Sequence, residues 1–138
     1  MQRDPRTRAR VNFLICYISV AGGEQTERYA QRFTSTFRVF PPGSECVIAV
    51  VSNGGPIAEN VRRHFRGLRH FVIERDNSGH DIGGYIEVAN RCENYNDYAL
   101  GKFDALLCAG QSCYFHRPGW LARLSEVWYA TGAHLCGF

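Results

Sequence analysis

Lysine is almost absent from this chain: fifteen of its sixteen basic residues are arginine, a bias to which no function attaches. Long apolar runs are lacking too. The longest, residues 11–21, is interrupted by Asn12 and Ser19 and is too short to cross a bilayer, so no transmembrane segment is expected. There is no signal-peptide pattern. Nor is there a Cys-x-x-Cys pair among Cys16, Cys46, Cys92, Cys108, Cys113 and Cys136, which argues against a disulfide framework and for a cytoplasmic protein. Cys16, Cys46 and Cys108 sit inside apolar runs, where a thiol packs as a small hydrophobe. Cys108, Cys113 and His116 lie close together, but a fourth ligand at a zinc-like spacing is missing, so no metal site is expected. The glycine-rich dinucleotide fingerprint is missing as well. Ala21-Gly22-Gly23-Glu24 does not have its spacing, which counts against NAD or FAD.

What is present fits one folded domain. The 138 residues are 45% hydrophobic and 21% charged, enough for a sizeable core in a single unit over residues 11–138. The net charge of +3 leans on an arm, residues 1–10, where Arg3, Arg6, Arg8 and Arg10 face one acid, Asp4. Such an arm reads first as a flexible, solvated terminus. Its functional alternative is a weak contact with an anionic surface, including a peripheral membrane contact, or with a polyphosphate. No aromatic residues are interleaved in it, so nucleic acid is not an expected partner.

The chain alternates between two periods. Residues 11–18 and 46–51 are short, nearly continuous apolar runs, as expected of strands buried on both faces. Between them, Ala30, Phe33, Phe37 and Phe40 recur at helical spacing. Glu24 and Glu27 suit the positive end of that helix, and Pro41-Pro42-Gly43 stops it. Ser52-Asn53-Gly54-Gly55 turns the chain, and Pro56 is placed to open a second helix with the stripe Ile57, Val61, Phe65 and Leu68. A third strand, residues 70–74, leads to a turn at Asn77 and then to a helix whose apolar face reads as Ile82, Tyr85, Ile86 and Ala89. A fourth strand is expected over 103–108 and a short extended piece over 113–115. Pro118 opens a last helix with Trp120, Leu121, Leu124, Val127 and Trp128 on one side; Gly132 is its expected C-cap, and residues 134–138 begin another strand. Strands separated by helices predict an α/β fold: a mainly parallel, Rossmann-like sheet with helices on both faces. Ligands of such sheets bind at the carboxyl ends of the strands, which selects residues 19–23, 52–55, 75–81 and 109–112 as the rim.

The turn Asn77-Ser78-Gly79-His80-Asp81-Ile82-Gly83-Gly84 carries the strongest local signal. Gly79 permits a positive φ, Asn77 can bond its own turn, and Asp81 can cap a helix starting at Ile82. Gly83 and Gly84 weaken that helix and so imply close approach of a backbone or a ligand. Capping alone explains Asn, Gly and Asp here as well as a ligand does. Arg75 can pair with a phosphate through its planar fork, or sit solvated beside Glu74 or Asp76. His80 and His116 are weighted towards surface or packing roles, because spacing alone does not place a general base.

The order of strands and helices, Ser52-Asn53-Gly54-Gly55, the run Arg75-x-Asn77-x-Gly79-x-Asp81-Ile82-Gly83, and Phe103-Asp104 leading to Gln111-Ser112 and Arg117-Pro118-x-Trp120-Leu121 together resemble glycosyltransferases of the GT-A fold. The bacterial rhamnan-synthesis and polysaccharide group is the nearest in style. The resemblance implies a nucleotide-sugar donor, a glycan or lipid-linked acceptor, and an enzyme of hexosyl- or deoxyhexosyl-transferase type. It places Ser52 and Asn53 at the nucleobase, Arg75, Asn77, Gly79 and Asp81 in the loop packed against the nucleotide, and Gln111 and Ser112 at the tip of the fourth strand. Many members carry Asp-x-Asp at that tip to bind a divalent cation. This chain has Ala109-Gly110-Gln111-Ser112 there, and Asp104 lies at the other end of the strand, so a divalent cation is doubtful. The catalytic group is not assigned, because the family's acceptor-side carboxylate comes from a second half that this chain is expected to lack. The competing expectations are a metal-independent or incomplete transferase and a non-catalytic binding module of the same fold.

Overall fold

The computed structural model describes residues 11–94 and 103–131, with the backbone alone for 92–94. Four strands form one parallel sheet: β1 (Phe13–Val20), β2 (Cys46–Asn53), β3 (His70–Arg75) and β4 (Ala105–Ala109), in the order β3-β2-β1-β4. Four helices connect or follow them: α1 (Thr26–Val39), α2 (Glu59–Arg62), α3 (His80–Asn94) and α4 (Trp120–Thr131). The α/β class expected from the alternation is therefore the observed one. The chain steps outward from β1 to β2 to β3, then returns past β1 to form β4. That reversal makes a topological switch between β1 and β4, where the connections leave the sheet in opposite directions.

Each strand sends alternate side chains to opposite faces. Phe13, Ile15 and Tyr17 of β1 and Ile48 and Val50 of β2 meet α1, α2 and α4 on one face, around Phe33, Phe37, Phe65, Phe115 and Leu121. Leu14, Cys16, Ile18, Val47, Ala49, Val51 and Ile73 meet α3 on the other, around Val88. Right-handed crossovers require this division, since connections running in opposite directions along the sheet must lie on opposite faces.

Several expected boundaries shift, each for a physical reason. The second helix does not begin at Pro56. Glu74 Oε2 accepts the Ile57 N–H at 2.8 Å, and Ala58 is extended, so helical geometry starts only at Glu59 and tightens into a single 3-10 turn over Arg63–Phe65. The expected stripe still packs inward, with Ile57, Val61 and Phe65 buried. The third helix starts at His80, so Asp81 lies in its first turn rather than capping a start at Ile82. Its inward face is also different: Gly84 and Val88 are buried, whereas Ile82 is 68% and Ile86 56% exposed. Val127 of α4 is likewise 38% exposed, while Leu121, Leu124 and Trp128 pack inward. Residues 113–115 form no strand; Phe115 instead stacks on Trp120 with ring centroids 4.0 Å apart. The N-terminus of α4 rests on the proline pair, the N–H groups of Leu121 and Ala122 donating to the Pro42 carbonyl. The arm of residues 1–10, the C-cap at Gly132 and the strand over 134–138 lie outside the described residues.

Candidate functional site

The four rim segments do converge at the carboxyl end of the sheet, but strand parity divides them between its faces. Ser19 pairs in register with Ser52, and Ser52 with Glu74; Asn53 pairs with Arg75. Because Ser52 and Asn53 are consecutive in a strand, they point in opposite directions. Ser19, Ser52 and Glu74 look towards α1 and α2. Asn53 and Arg75 look towards α3.

On the α3 side Asn53 and Arg75 are occupied within the fold. Arg75 Nη1 donates to Asn53 Oδ1 and its Nη2 to the Ser78 carbonyl, both at 2.7 Å. Its Nε lies 2.6 Å from Glu87 Oε2, a close ion pair whose N–H is not aimed along a hydrogen bond. The arginine side chain is only 11% exposed, so it is neither a solvated surface charge nor a free phosphate fork; Asp76 is a more distant partner at 3.8 Å. Asn53 Nδ2 in turn donates to the His80 carbonyl at 3.1 Å. Together these bonds lock the turn. His80 sits at φ 51°, in the left-handed region that a residue with a Cβ resists, directly after Gly79 at φ +72°. Asp76 also bonds the turn's backbone, its Oδ1 accepting the Ser78 N–H, the local role expected of Asn77. Asn77 and Asp81 are exposed.

The adjacent glycines have an internal explanation. A Cβ on Gly83 would collide with the Ser78 carbonyl, and one on Gly84 would come within 2.6 Å of Ile18 Cδ1 and 3.5 Å of Val51 Cγ1. Close approach is thus met by the turn and the sheet themselves. Asp81 lies beside the tip of β4, its Oδ2 being 3.7 Å from where a Cβ on Gly110 would stand. Tyr85, one turn further along α3, is pushed up to about 12, first by burial and then by the Asp81 carboxylate, so its phenol stays protonated.

At the tip of β4, Gln111 also works inward. Its Oε1 accepts the Val20 N–H at 3.3 Å and its carbonyl accepts the Tyr17 hydroxyl at 2.9 Å. Burial raises the Tyr17 phenol, so it donates this bond throughout the ordinary pH range. Ser112 is exposed, and its carbonyl accepts Arg32 Nη2 at 3.2 Å. Asp104, at the opposite end of the strand, accepts the Asn12 N–H at 2.9 Å and ties β4 to the start of β1. Among the described residues no three His, Cys, Asp or Glu side chains gather where they could hold a metal. Cys108 lies on the α3 face in register with Cys16, whereas Cys113 packs against the aromatic face. Cys108 is exposed, not packed inside a buried run, and Cys113 is half-buried; partial burial still raises both thiols, which keeps them protonated and weakly nucleophilic.

Among the described residues an open cleft lies on the other face. A cleft of about 230 Å³ lies at the ends of β1 and β2, between the start of α1 and α2. Ser19 and Ser52 form its floor, Gly22, Gly23 and Thr26 one wall, and Ile57, Ala58, Asn60 and Val61 the other. Thr26 Oγ1 donates to the Val20 carbonyl at 2.6 Å and the Ile57 N–H to Glu74 Oε2 at 2.8 Å, so both walls are hydrogen-bonded to strand ends, while Ser52 Oγ donates to the Gly55 carbonyl at 2.7 Å. Glu27 clamps them together: Asn60, Arg63 and His64 all reach its carboxylate. The bonds from Asn60 and then His64 hold its carboxyl below the usual range, and nearby Arg63 adds to this. Of the eight residues singled out from sequence, Ser52 alone lines this cleft. Ser19, Gly22 and Gly23 fell within the expected rim. Thr26, Ala58 and Asn60 did not; Thr26 is a polar residue on the buried stripe of α1, a signal the pattern held.

The fold and rim define an α/β protein with a parallel β3-β2-β1-β4 sheet and a cleft of mixed polar and apolar lining at its carboxyl edge. The chain has no significant match to a protein family, to a curated protein or to a solved structure. Among the described residues no helix is long and apolar enough to cross a membrane.

Proposed function

We propose that this is a nucleotide-binding α/β domain of glycosyltransferase type, in which the cleft at the ends of β1 and β2 takes the nucleoside end of a nucleotide-sugar donor. The observation that carries the reading is the position of that cleft. It lies at the carboxyl ends of parallel strands, where α/β sheets bind ligands, and it has paired hydroxyls on its floor and glycines in its wall. Its volume is below the roughly 300–1,000 Å³ of a pocket that engulfs a small molecule. It suits a base or a ribose, with the phosphates and sugar lying outside it across the rim.

A divalent cation does not fit the residues at the tip of β4. Gln111 stands where the resembled family carries an acid, and its amide oxygen is spent on the Val20 N–H. Asp81 offers a single carboxylate beside Gly110, and hard cations need several oxygen ligands. The same observation favours the second reading, a module that binds the donor without transferring the sugar. In either form the chain's own residues bind and orient. Ser19 and Ser52 lie beneath the base or ribose, Ser52 Oγ left to accept a bond because its proton goes to the Gly55 carbonyl, and Gly22 and Gly23 let the ligand approach the backbone.

Thermal unfolding with UDP, GDP or dTDP tests this. A ligand at 100 times its Kd stabilises by about 2.7 kcal/mol, which moves the melting temperature by several degrees. The expected outcome is such a shift with at least one nucleotide, unchanged by Mn²⁺. No shift at millimolar concentration removes the nucleotide reading, and a shift that requires Mn²⁺ removes the metal-free one.

A further inference from the structure

The floor of the cleft holds a hydroxyl without a partner. Ser19 is 2% exposed and lines the cleft, yet its Oγ makes no hydrogen bond among the described residues. A buried polar group left unpaired is costly, so one that borders open space points to a ligand that supplies the bond. The neighbouring hydroxyls have already given up their protons, that of Thr26 to the Val20 carbonyl and that of Ser52 to the Gly55 carbonyl. Asn60 Nδ2 donates to Glu27 Oε2, while Glu27 Oε1 takes Arg63 and His64. Glu24, in the same lining, is exposed and has neither a hydrogen bond nor an ion pair among the described residues.

These side chains constrain what can enter. The lining offers acceptors in the Glu24 carboxylate and Ser52 Oγ, and a free hydroxyl donor in Ser19. Glu24 and Glu27 both repel phosphate, which leaves the diphosphate outside the cleft. The walls have the form of a slot. Ile57 and Val61, both buried, give one wall an apolar surface, and Gly22 and Gly23 give the other bare backbone. A flat ring fills such a slot, whereas a puckered ribose would set hydroxyls against the apolar wall.

We infer that the cleft reads the base and that the base is guanine, with the Glu24 carboxylate and the Ser19 hydroxyl as its specificity-determining groups. This rests on the nucleotide reading proposed above and names the donor class within it. Guanine presents two adjacent donors, N1–H and the N2 amino group, which match the two oxygens of one carboxylate, and beside them the O6 acceptor, which matches a hydroxyl donor. Uracil and thymine present one N–H between two carbonyls, and a carboxylate there meets carbonyl oxygen on either side. Adenine and cytosine present one amino group next to a ring-nitrogen acceptor and leave half of the carboxylate unpaired.

The test is isothermal titration of the full chain with GDP, inosine diphosphate, UDP and dTDP. The unaltered chain should bind GDP at least about tenfold tighter than UDP or dTDP, and inosine diphosphate, which lacks only the N2 amino group, about tenfold more weakly than GDP. Glu24→Gln should lose about tenfold for GDP and leave UDP binding unchanged, and Ser19→Ala should lose severalfold for GDP. The nucleotide series needs no variant, so the inference is tested even if a substitution unfolds the chain. UDP or dTDP binding as tightly as GDP keeps the nucleotide site and overturns guanine. Equal binding of all four puts the ribose in the cleft and likewise overturns it, as does a Glu24→Gln variant that binds GDP unchanged. Binding of none removes the nucleotide reading and this inference together.

Discussion

On one face of the sheet Tyr17, Phe33, Phe37, Phe65, Phe115 and Trp120 meet ring against ring, with centroids mostly 4–6 Å apart. On the other, α3 settles on the sheet through Gly84 and Val88 and is held at its start by the Arg75 network. The aromatic face gains its stability from buried area and is tolerant of where polar groups fall at its edge. That leaves room for a cleft beside it. The α3 face depends on close backbone approach and on hydrogen bonds between particular atoms, so its rim is filled by its own side chains. Two faces of the same four strands therefore differ in what they offer a ligand.

Substitutions of decreasing expected effect test that contrast. Phe33→Ala removes a fully buried ring that touches Tyr17, Phe37, Phe65 and Phe115, and should cost about 4 kcal/mol in urea unfolding. A loss below about 1 kcal/mol would mean that the aromatic face does not carry the core. Arg75→Ala strips Asn53 and the Ser78 carbonyl of a charged donor and leaves Glu87 with Arg91 as its one remaining ion-pair partner among the described residues; about 3 kcal/mol is expected. Were the cost of this change no larger than that of a surface mutation, the turn would have to be held by something other than the network. Gly83→Ala drives a methyl group into the Ser78 carbonyl, and roughly 2 kcal/mol should be lost despite the better helix propensity of alanine. An increase in stability would show that the turn can move aside. Ile86→Ser, on the outer surface of α3, should change stability by no more than about 0.5 kcal/mol.

The same contrast decides what could be read from sequence. The strands were legible because β1 and β2 are buried on both faces and so have no polar alternation to confuse them. The stripe of α1 was legible because phenylalanine marks its buried side. The face of α3 was not, because a periodicity of apolar residues cannot register Gly84 as a contact, and it promoted the exposed Ile82 and Ile86 instead. The late start of α2 was hidden for another reason. Its cause is Glu74, seventeen residues further on, whose carboxylate reaches back to Ile57. At the rim, the strand ends could be located, but which side chains share a face could not be chosen without exact strand bounds. A one-residue error exchanges Ser52 for Asn53. That is why Ser52 lines the cleft while Asn53 and Arg75 face the opposite way, bound to each other.

The most direct measurement is nucleotide binding by two variants, one for each face, followed by isothermal titration with the best nucleoside diphosphate. Ala58→Trp places an indole in the cleft between α1 and α2, and Asn77→Ala trims an exposed side chain on the α3 side. The proposed site predicts that Ala58→Trp weakens binding at least tenfold and that Asn77→Ala leaves it within twofold of the unaltered chain. Loss of binding in Asn77→Ala with retention in Ala58→Trp would contradict it and put the ligand on the face of α3.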